Sequence, residues 1–205
     1  MNKTSRGRLF VVSGPSGVGK GTLLKLVLPT LPNVLYSISV TTRPPRLGEV
    51  DGRDYFFVTD EQFKRMIEDG EFLEWANVYG HMYGTPRKWV EEKLASGYDV
   101  VLEIDVQGAM QVKERCKDAI LILILPPSME ELQRRITKRA LDSPEEIERR
   151  MNKAKWEISF RDRFDFQIVN DDLNRAAGEL RRILLGEVKP SGRKKGVRCN
   201  NGANR

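Results

Sequence analysis

Between Ser13 and Thr22 the chain reads SGPSGVGKGT, and Gly14, Gly19 and Lys20 fall on the spacing G-x-x-x-x-G-K. That spacing suits a loop that wraps phosphates. A polyphosphate needs backbone N–H donors on a concave surface, and glycines allow the close approach and the turns this requires. A helix opening near Lys20 adds free N–H groups and a partial positive charge. Lys20 itself brings a full charge to the outer phosphates. Gly14, Pro15, Ser16, Gly17, Val18, Gly19, Lys20, Gly21 and Thr22 are therefore the candidate phosphate-loop residues. The Ser or Thr that ordinarily follows the lysine and meets Mg²⁺ is replaced by Gly21. Thr22 or water is left to fill that role. An ordinary Gly-rich strand-to-helix turn is the competing reading, and the apolar residues on both sides with the lysine in register weigh against it.

Further along, Ser39 to Glu49 reads SVTTRPPRLGE. Arg43 and Arg46 are held by prolines and flanked by hydroxyls, a fork suited to a second phosphate. Alone it reads as an exposed loop; beside a phosphate loop a second anion clamp is the better reading. Glu74 stands in the apolar run Phe72 to Val78, facing either water or a ligand. Glu103 and Asp105 end another apolar run, and their spacing of two puts both on one side of a strand. Acids at the carboxyl end of a buried parallel strand sit where open α/β sheets bind ligands. Arg134, Arg135, Lys138, Arg139, Arg149 and Arg150 load a charged helical pair. Such a pair is usually a solvated hairpin, but these arginines are spaced to form a flap over phosphates.

Several classes are excluded by composition. The chain has 205 residues, one histidine and two cysteines without metal-ligand spacing. Triads and metal sites built on histidine are nearly excluded, as are zinc and disulfide frameworks, and a reducing cytoplasm is the expected setting. No stretch approaches the roughly 20 apolar residues of a membrane span. The net charge of +6 would suit nucleic acid, but six Lys or Arg and no acid lie from Lys189 onward, leaving 29 basic against 29 acidic side chains before it. The excess belongs to a Gly-, Lys-, Arg- and Asn-rich tail, expected to be disordered, and not to a binding face. Homo-oligomerisation stays open.

The elements that must position these residues follow from periodicity. Leu9–Val12 predicts a strand running into the loop, and Leu23, Leu24, Leu26 and Val27 a helix. Asp54–Val58 and Phe72–Val78 read as strands. Thr59 and Gln62 form a capping box before a helix over 60–68, and Tyr79 to Thr85 reads as a turn. Thr85 and Pro86 start a helix ending at Gly97. Tyr98 to Asp105 and Ala119 to Leu125 are near-continuous apolar runs, as in strands buried on both faces. Ser128 with Glu131, and Ser143-Pro144, open two helices with too few apolar residues to be core. Phe166–Val169 is the last strand, and Asn170-Asp171-Asp172 caps the last helix. The sum is an α/β fold with a five-stranded parallel sheet, helices on both faces and two insertions.

These segments resemble the guanylate kinase family. The resemblance rests on SGPSGVGKGT, SVTTRPPRLGEVDGRDYFF at 39–57, EFLEWANVYGHMYGT at 71–85, LEIDVQG at 102–108 and IVNDDL at 168–173. It implies a core of residues 1–36, 86–126 and 160–185, a GMP-binding region at 37–85, a lid at 127–159 and a basic tail at 186–205. It implies transfer of the γ-phosphoryl group of ATP to GMP, and to dGMP. Mg²⁺ would be held by phosphates and water, with no protein ligand. By the same resemblance Arg43, Arg46, Tyr55 and Tyr83 hold the GMP phosphate, and Ser39, Glu74, Thr85 and Asp105 read guanine. Arg135, Arg139 and Arg150 are the lid arginines, joining Lys20 and Arg43 in catalysis, while Asn170 and Asp171 lie near adenine. Ionised carboxylates only accept hydrogen bonds, which suits the two donors on guanine's pairing edge and repels the ring nitrogen of adenine. Small-molecule substrates, and neither nucleic acid nor membrane, are the expected partners. Another monophosphate kinase and a phosphopeptide-binding module of the same fold are the rival readings.

Overall fold

The computed structural model describes residues 6–139 and 143–189. In chain order the elements are β1 (Leu9–Ser13), α1 (Lys20–Val27), β2 (Val34–Tyr36), β3 (Val40–Thr41), β4 (Phe56–Phe57), α2 (Asp60–Glu68), β5 (Phe72–Val78) and β6 (His81–Pro86). They continue as α3 (Arg87–Ala95), β7 (Asp99–Glu103), α4 (Val106–Arg115), β8 (Ile120–Leu125), α5 (Met129–Arg139), α6 (Pro144–Ser159), β9 (Phe166–Val169) and α7 (Leu173–Leu185).

Five strands form one parallel sheet in the order β2-β7-β1-β8-β9. Alternation divides their side chains between two faces. Phe10, Val12, Val101, Ile122 and Ile124 pack under α1, α5 and α7. Leu9, Val11, Val100, Leu102, Leu121 and Leu123 pack under α3 and α4. Both faces are covered, which is why these strands read as unbroken apolar runs. The chain crosses from β1 to β2 toward one edge of the sheet and from β7 to β8 toward the other, so the crevice past the carboxyl end of β1 is the topological switch point.

A second sheet, ordered β4-β3-β6-β5, closes one side of that crevice. Its own core is small: Val40, Phe63 and Phe72, with the rings of Phe63 and Phe72 stacked at 4.5 Å. Gly84 lies under Phe72, where an added Cβ would meet the ring at 2.6 Å. The Thr59–Gln62 capping box opens α2 with both reciprocal bonds made.

Four expectations are corrected. The stretch expected as a turn from Tyr79 to Thr85 is a turn only at its start, and His81–Pro86 forms β6, antiparallel to β5. Thr85 and Pro86 belong to that strand, and the helix begins at Arg87. Short-range signals favoured the Pro helix start, but β5 and β3 on either side supply the pairing that draws these residues into the sheet. Asp105 is not the end of a strand: β7 stops at Glu103, and Asp105 is the N-cap of α4. The α5–α6 pair is not purely solvated, since Leu132, Ile136 and Ala154 are buried in the main core. Cys116 carries a free thiol, while Cys199 and the tail from 190 onward lie outside the described residues. Among those residues no helix is long and apolar enough to cross a membrane.

Phe63 is fully buried and anchors the second sheet's small core. Phe63→Ala should lower stability by about 3–5 kcal/mol, read as a fall in the urea unfolding midpoint.

Candidate active site

The phosphate loop leaves β1 at Ser13 and turns into α1 at Lys20. Gly19 is the N-cap of α1 with φ 99°, a left-handed conformation that glycine adopts without steric cost. An added Cβ there would stand 2.6 Å from the amide nitrogen of Asn170. Asn170 is buried, and its amide donates to the Val18 carbonyl at 2.8 Å. A residue from the end of β9 thus pins the loop from behind. Lys20 Nζ lies across the loop, donating to the carbonyls of Gly14 and, at 3.3 Å, Pro15. The α1 N-terminus with this ammonium is an anion site.

The helical pair reaches the same loop. Arg150 donates to Ser16 Oγ at 2.8 Å. Arg135 donates to the Asn170 carbonyl at 3.1 Å and pairs with Glu131. Ile136 packs beside Gly17. A cavity of about 350 Å³ opens here, lined by Gly17, Gly19, Thr22, Arg135, Asn170 and Asp171. Asp171 is also paired with Arg175. The side chain of Arg139 lies outside the described residues.

A second cleft of about 260 Å³ lies between the loop and the second sheet, and Lys20, Ser39, Arg46, Tyr55, Glu74, Tyr83, Glu103, Asp105 and Arg150 line it. Arg43 sits beneath, buried, donating to Tyr83 at 3.2 Å and by its Nη2 to both oxygens of Glu49 at 2.9 Å. Its guanidinium lies over the Tyr55 ring at 5.3 Å. Burial works to lower its basicity, yet Glu49 and Tyr83 hold Arg43 charged beyond the ordinary value. Glu49 also accepts from the Arg46 N–H at 2.7 Å, locking the two arginines into one unit.

In the same cleft, Glu74 is buried and accepts from Thr85 Oγ1 at 2.6 Å. It gains access because residue 108 has no side chain: an added Cβ on Gly108 would lie 2.3 Å from Glu74 Oε2. Asp105 Oδ1 accepts from the Gly108 N–H at 3.0 Å, and Oδ2 faces Gln107 and Lys153. Glu103 accepts from Tyr36 at 3.3 Å and faces Gly21, whose added Cβ would lie 3.5 Å from both its oxygens. The space that a Ser or Thr hydroxyl would occupy is thus next to a carboxylate.

Burial pushes Glu74 up to about 7, with nearby Asp105 adding to the rise and the Thr85 hydroxyl opposing it. Burial also raises Glu157, on α6, to about 7; Lys20 and Lys153 oppose this and Asp105 adds to it. Two clefts carrying cationic side chains thus open beside the phosphate loop, and the acids Glu74 and Asp105 line one of them.

The guanylate kinase family model matches residues 6–187 of the chain. The chain belongs to the guanylate kinase family. It is 50% identical over 187 residues to a guanylate kinase from Caldanaerobacter subterraneus subsp. tengcongensis, covering 91% of each. It is 52% identical to one from Thermus thermophilus, covering 93% of this chain and 85% of that one. The crystal structure of guanylate kinase from Anaplasma phagocytophilum superposes with a TM-score of 0.74 at 39% identity, covering 90% of this chain and 87% of that one.

Glu49 and Tyr79 fall within the segments that carry the family resemblance but have no task assigned by sequence, and Lys153 and Glu157 belong to no motif. The α6 signal was present: 149, 153 and 157 recur every four residues on one helix face. Nothing local announces that this face turns inward.

For Glu74 the sign of the pH effect is set by its raised value. Between about pH 4.5 and 7 the folded chain holds more protons on this carboxyl than the unfolded chain, so its contribution to stability falls as pH rises through that window. Glu74→Gln, which cannot ionise, should therefore gain stability relative to the parent from pH 5 to pH 7.5. Urea unfolding at both pH values measures this; a constant difference contradicts it.

Proposed function

We propose that this chain performs the reaction of its family, the ATP-dependent phosphorylation of GMP to GDP, with ATP on the loop at 14–22 and GMP in the cleft beneath the second sheet. One observation supports the reading: Arg46, Tyr55 and Tyr83, with Arg43 bonded to Tyr83 and tied to Arg46 through Glu49, share one cleft with Lys20 of the phosphate loop and the acids Glu74 and Asp105. A guanine mononucleotide spans that cleft with its phosphate toward Lys20 and its base toward the acids. Ser39 lines the cleft, and Thr85 fixes the Glu74 carboxylate. Two guanine donors stabilise the ionised form of Glu74, drawing its proton affinity back down on binding. Adenine offers a ring acceptor at the same place and is rejected.

Residues 37–85 form the acceptor region, residues 127–159 the lid, and residues 1–36, 86–126 and 160–185 the core, with 186–205 a basic tail outside it. No general base is needed, because a phosphate monoester is largely dianionic at neutral pH, with its second pKa near ~6. The acceptor oxygen attacks the γ-phosphorus in line, the bond to the β-phosphate oxygen breaks, and the phosphoryl group moves. Lys20, Arg43, Arg135, Arg139 and Arg150 neutralise the charge that spreads over the transferring oxygens. Asn170 acts one step back, by holding the loop, and Asp171 lines the nucleoside side of ATP.

Among the described residues no three His, Cys, Asp or Glu side chains cluster into a metal cage. The Glu103 carboxylate facing the loop at Gly21 fits a Mg²⁺ ion bound with the phosphates, and Glu103 would be the protein group to hold it through water. When bound, that ion neutralises phosphate charge. The rival phosphopeptide module needs only the arginine clamp, and the complete loop with Lys20 argues for transfer.

A coupled ADP-release assay with GMP, dGMP, AMP, UMP and CMP tests the function. GMP and dGMP should be turned over, and equal turnover of AMP would overturn the assignment. Lys20→Ala should lower kcat by about a thousandfold or more while calorimetry finds GMP affinity nearly intact. Glu74→Gln should raise the KM for GMP about ten- to a hundredfold with little change for ATP. An unchanged GMP KM would remove Glu74 from the base pocket.

A further inference from the structure

The β5–β6 hairpin closes through two residues, Tyr79 and Gly80, between the paired Val78 and His81. Both have positive φ, 53° and 86°. This is the geometry of two-residue hairpin turns that favour Asn-Gly, and an aromatic side chain is out of place at its first position. Among the described residues Tyr79 is the only non-glycine with positive φ. The turn is otherwise well built, with the Gly80 N–H donating to Asn77 Oδ1 at 3.0 Å. A strained tyrosine in an otherwise favourable turn points to a task for its ring.

The ring meets one helix. Arg149 lies over it at 5.1 Å and Lys153 at 4.7 Å, successive turns of the same face of α6. The guanidinium of Arg150 lies against its phenol oxygen and also donates to Ser16 of the phosphate loop. Lys153 extends past the ring to Asp105 at 3.5 Å. Three cations of α6 are thus gathered on one side chain from the opposite wall of the cleft.

We propose that Tyr79 is a positioning residue for phosphoryl transfer, a latch that holds α6 closed over the cleft so that Arg150 stays delivered to the phosphate loop. This rests on reading α5 and α6 as the lid. The latch stands on the acceptor sheet, so the elements that grip GMP also grip the helix that serves ATP. Closure is then tied to the acceptor side, which keeps water from the γ-phosphate until the acceptor region is in place. The ring supplies the attraction: cations stacked on an aromatic face each shift an equilibrium about two- to fivefold at partly exposed sites.

Tyr79→Asn separates latch from fold, because asparagine suits the turn better than tyrosine. The variant should keep or raise the melting temperature while kcat falls about tenfold, the KM for GMP stays nearly constant, and ATP hydrolysis without GMP rises relative to transfer. Amide hydrogen exchange should quicken in 144–159 and stay unchanged in 72–86. Tyr79→Phe, which keeps the ring, should restore most of kcat. An unchanged kcat with unchanged exchange in α6, or a kcat loss matched by a lower melting temperature, overturns the latch. If the parent chain phosphorylates no GMP, the proposed function fails, and the exchange measurement still decides whether Tyr79 holds α6.

Discussion

Five strands running the same way bring every carboxyl end to one edge of the sheet, and strand order decides which of those ends faces open space. Here β1 is central, and its neighbours β7 and β8 lead into α4 and α5, which pack on opposite faces of the sheet. The crevice this leaves is lined by backbone N–H groups from the start of α1 and by the ends of β7 and β9. All the chemistry depends on that opening. The loop at Gly14–Lys20 has its shape because β1 and α1 are buried on fixed faces, and because Asn170 donates to it from β9. An anion site made of amides works only when those amides are held rigid.

Like charges must be crowded there, and the fold manages the crowding by interleaving signs. Arg43 is buried with its guanidinium fork on Glu49 and its flank on Tyr55 and Tyr83. Charge-assisted bonds of this kind set geometry as well as energy. Lys153 stands between Asp105 and Tyr79, while Glu74 and Glu157 are buried deeply enough to be pushed to about 7. Buried carboxyls that titrate near neutrality are poised to answer to ligand charge and hydrogen bonding. The same burial that makes the ionised form of Glu74 costly in the free chain would, in the proposed function, favour a base presenting two donors.

The second sheet and the helical pair are attached differently. The sheet's satellite core of Val40, Phe63 and Phe72 is separate from the main one. The helical pair contributes Leu132, Ile136 and Ala154 to the main core but meets the cleft chiefly through charged side chains. Elements joined by few apolar contacts and many polar ones move more readily than those sharing a core. That division suits a site that must open for two nucleotides and then exclude water.

Local residue order alone determined the phosphate loop, four of the five parallel strands, the capping box at Thr59 and the acids Glu103 and Asp105 at the end of a buried run. Each is a short-range signal: glycine spacing, an apolar run, a cap, or an acid after a buried strand. Residue order left Glu74 facing either water or a ligand and β2 (Val34–Tyr36) unread. Tertiary structure decided the rest. His81–Pro86 carries turn-like composition and became a strand because β3 and β5 lie on both sides of it. Asp105 reached the cleft as a helix cap, not by strand alternation. Glu49, Tyr79, Lys153 and Glu157 were invisible as site residues because a charged or aromatic side chain has no direction until its element is packed, and their partners lie on other elements.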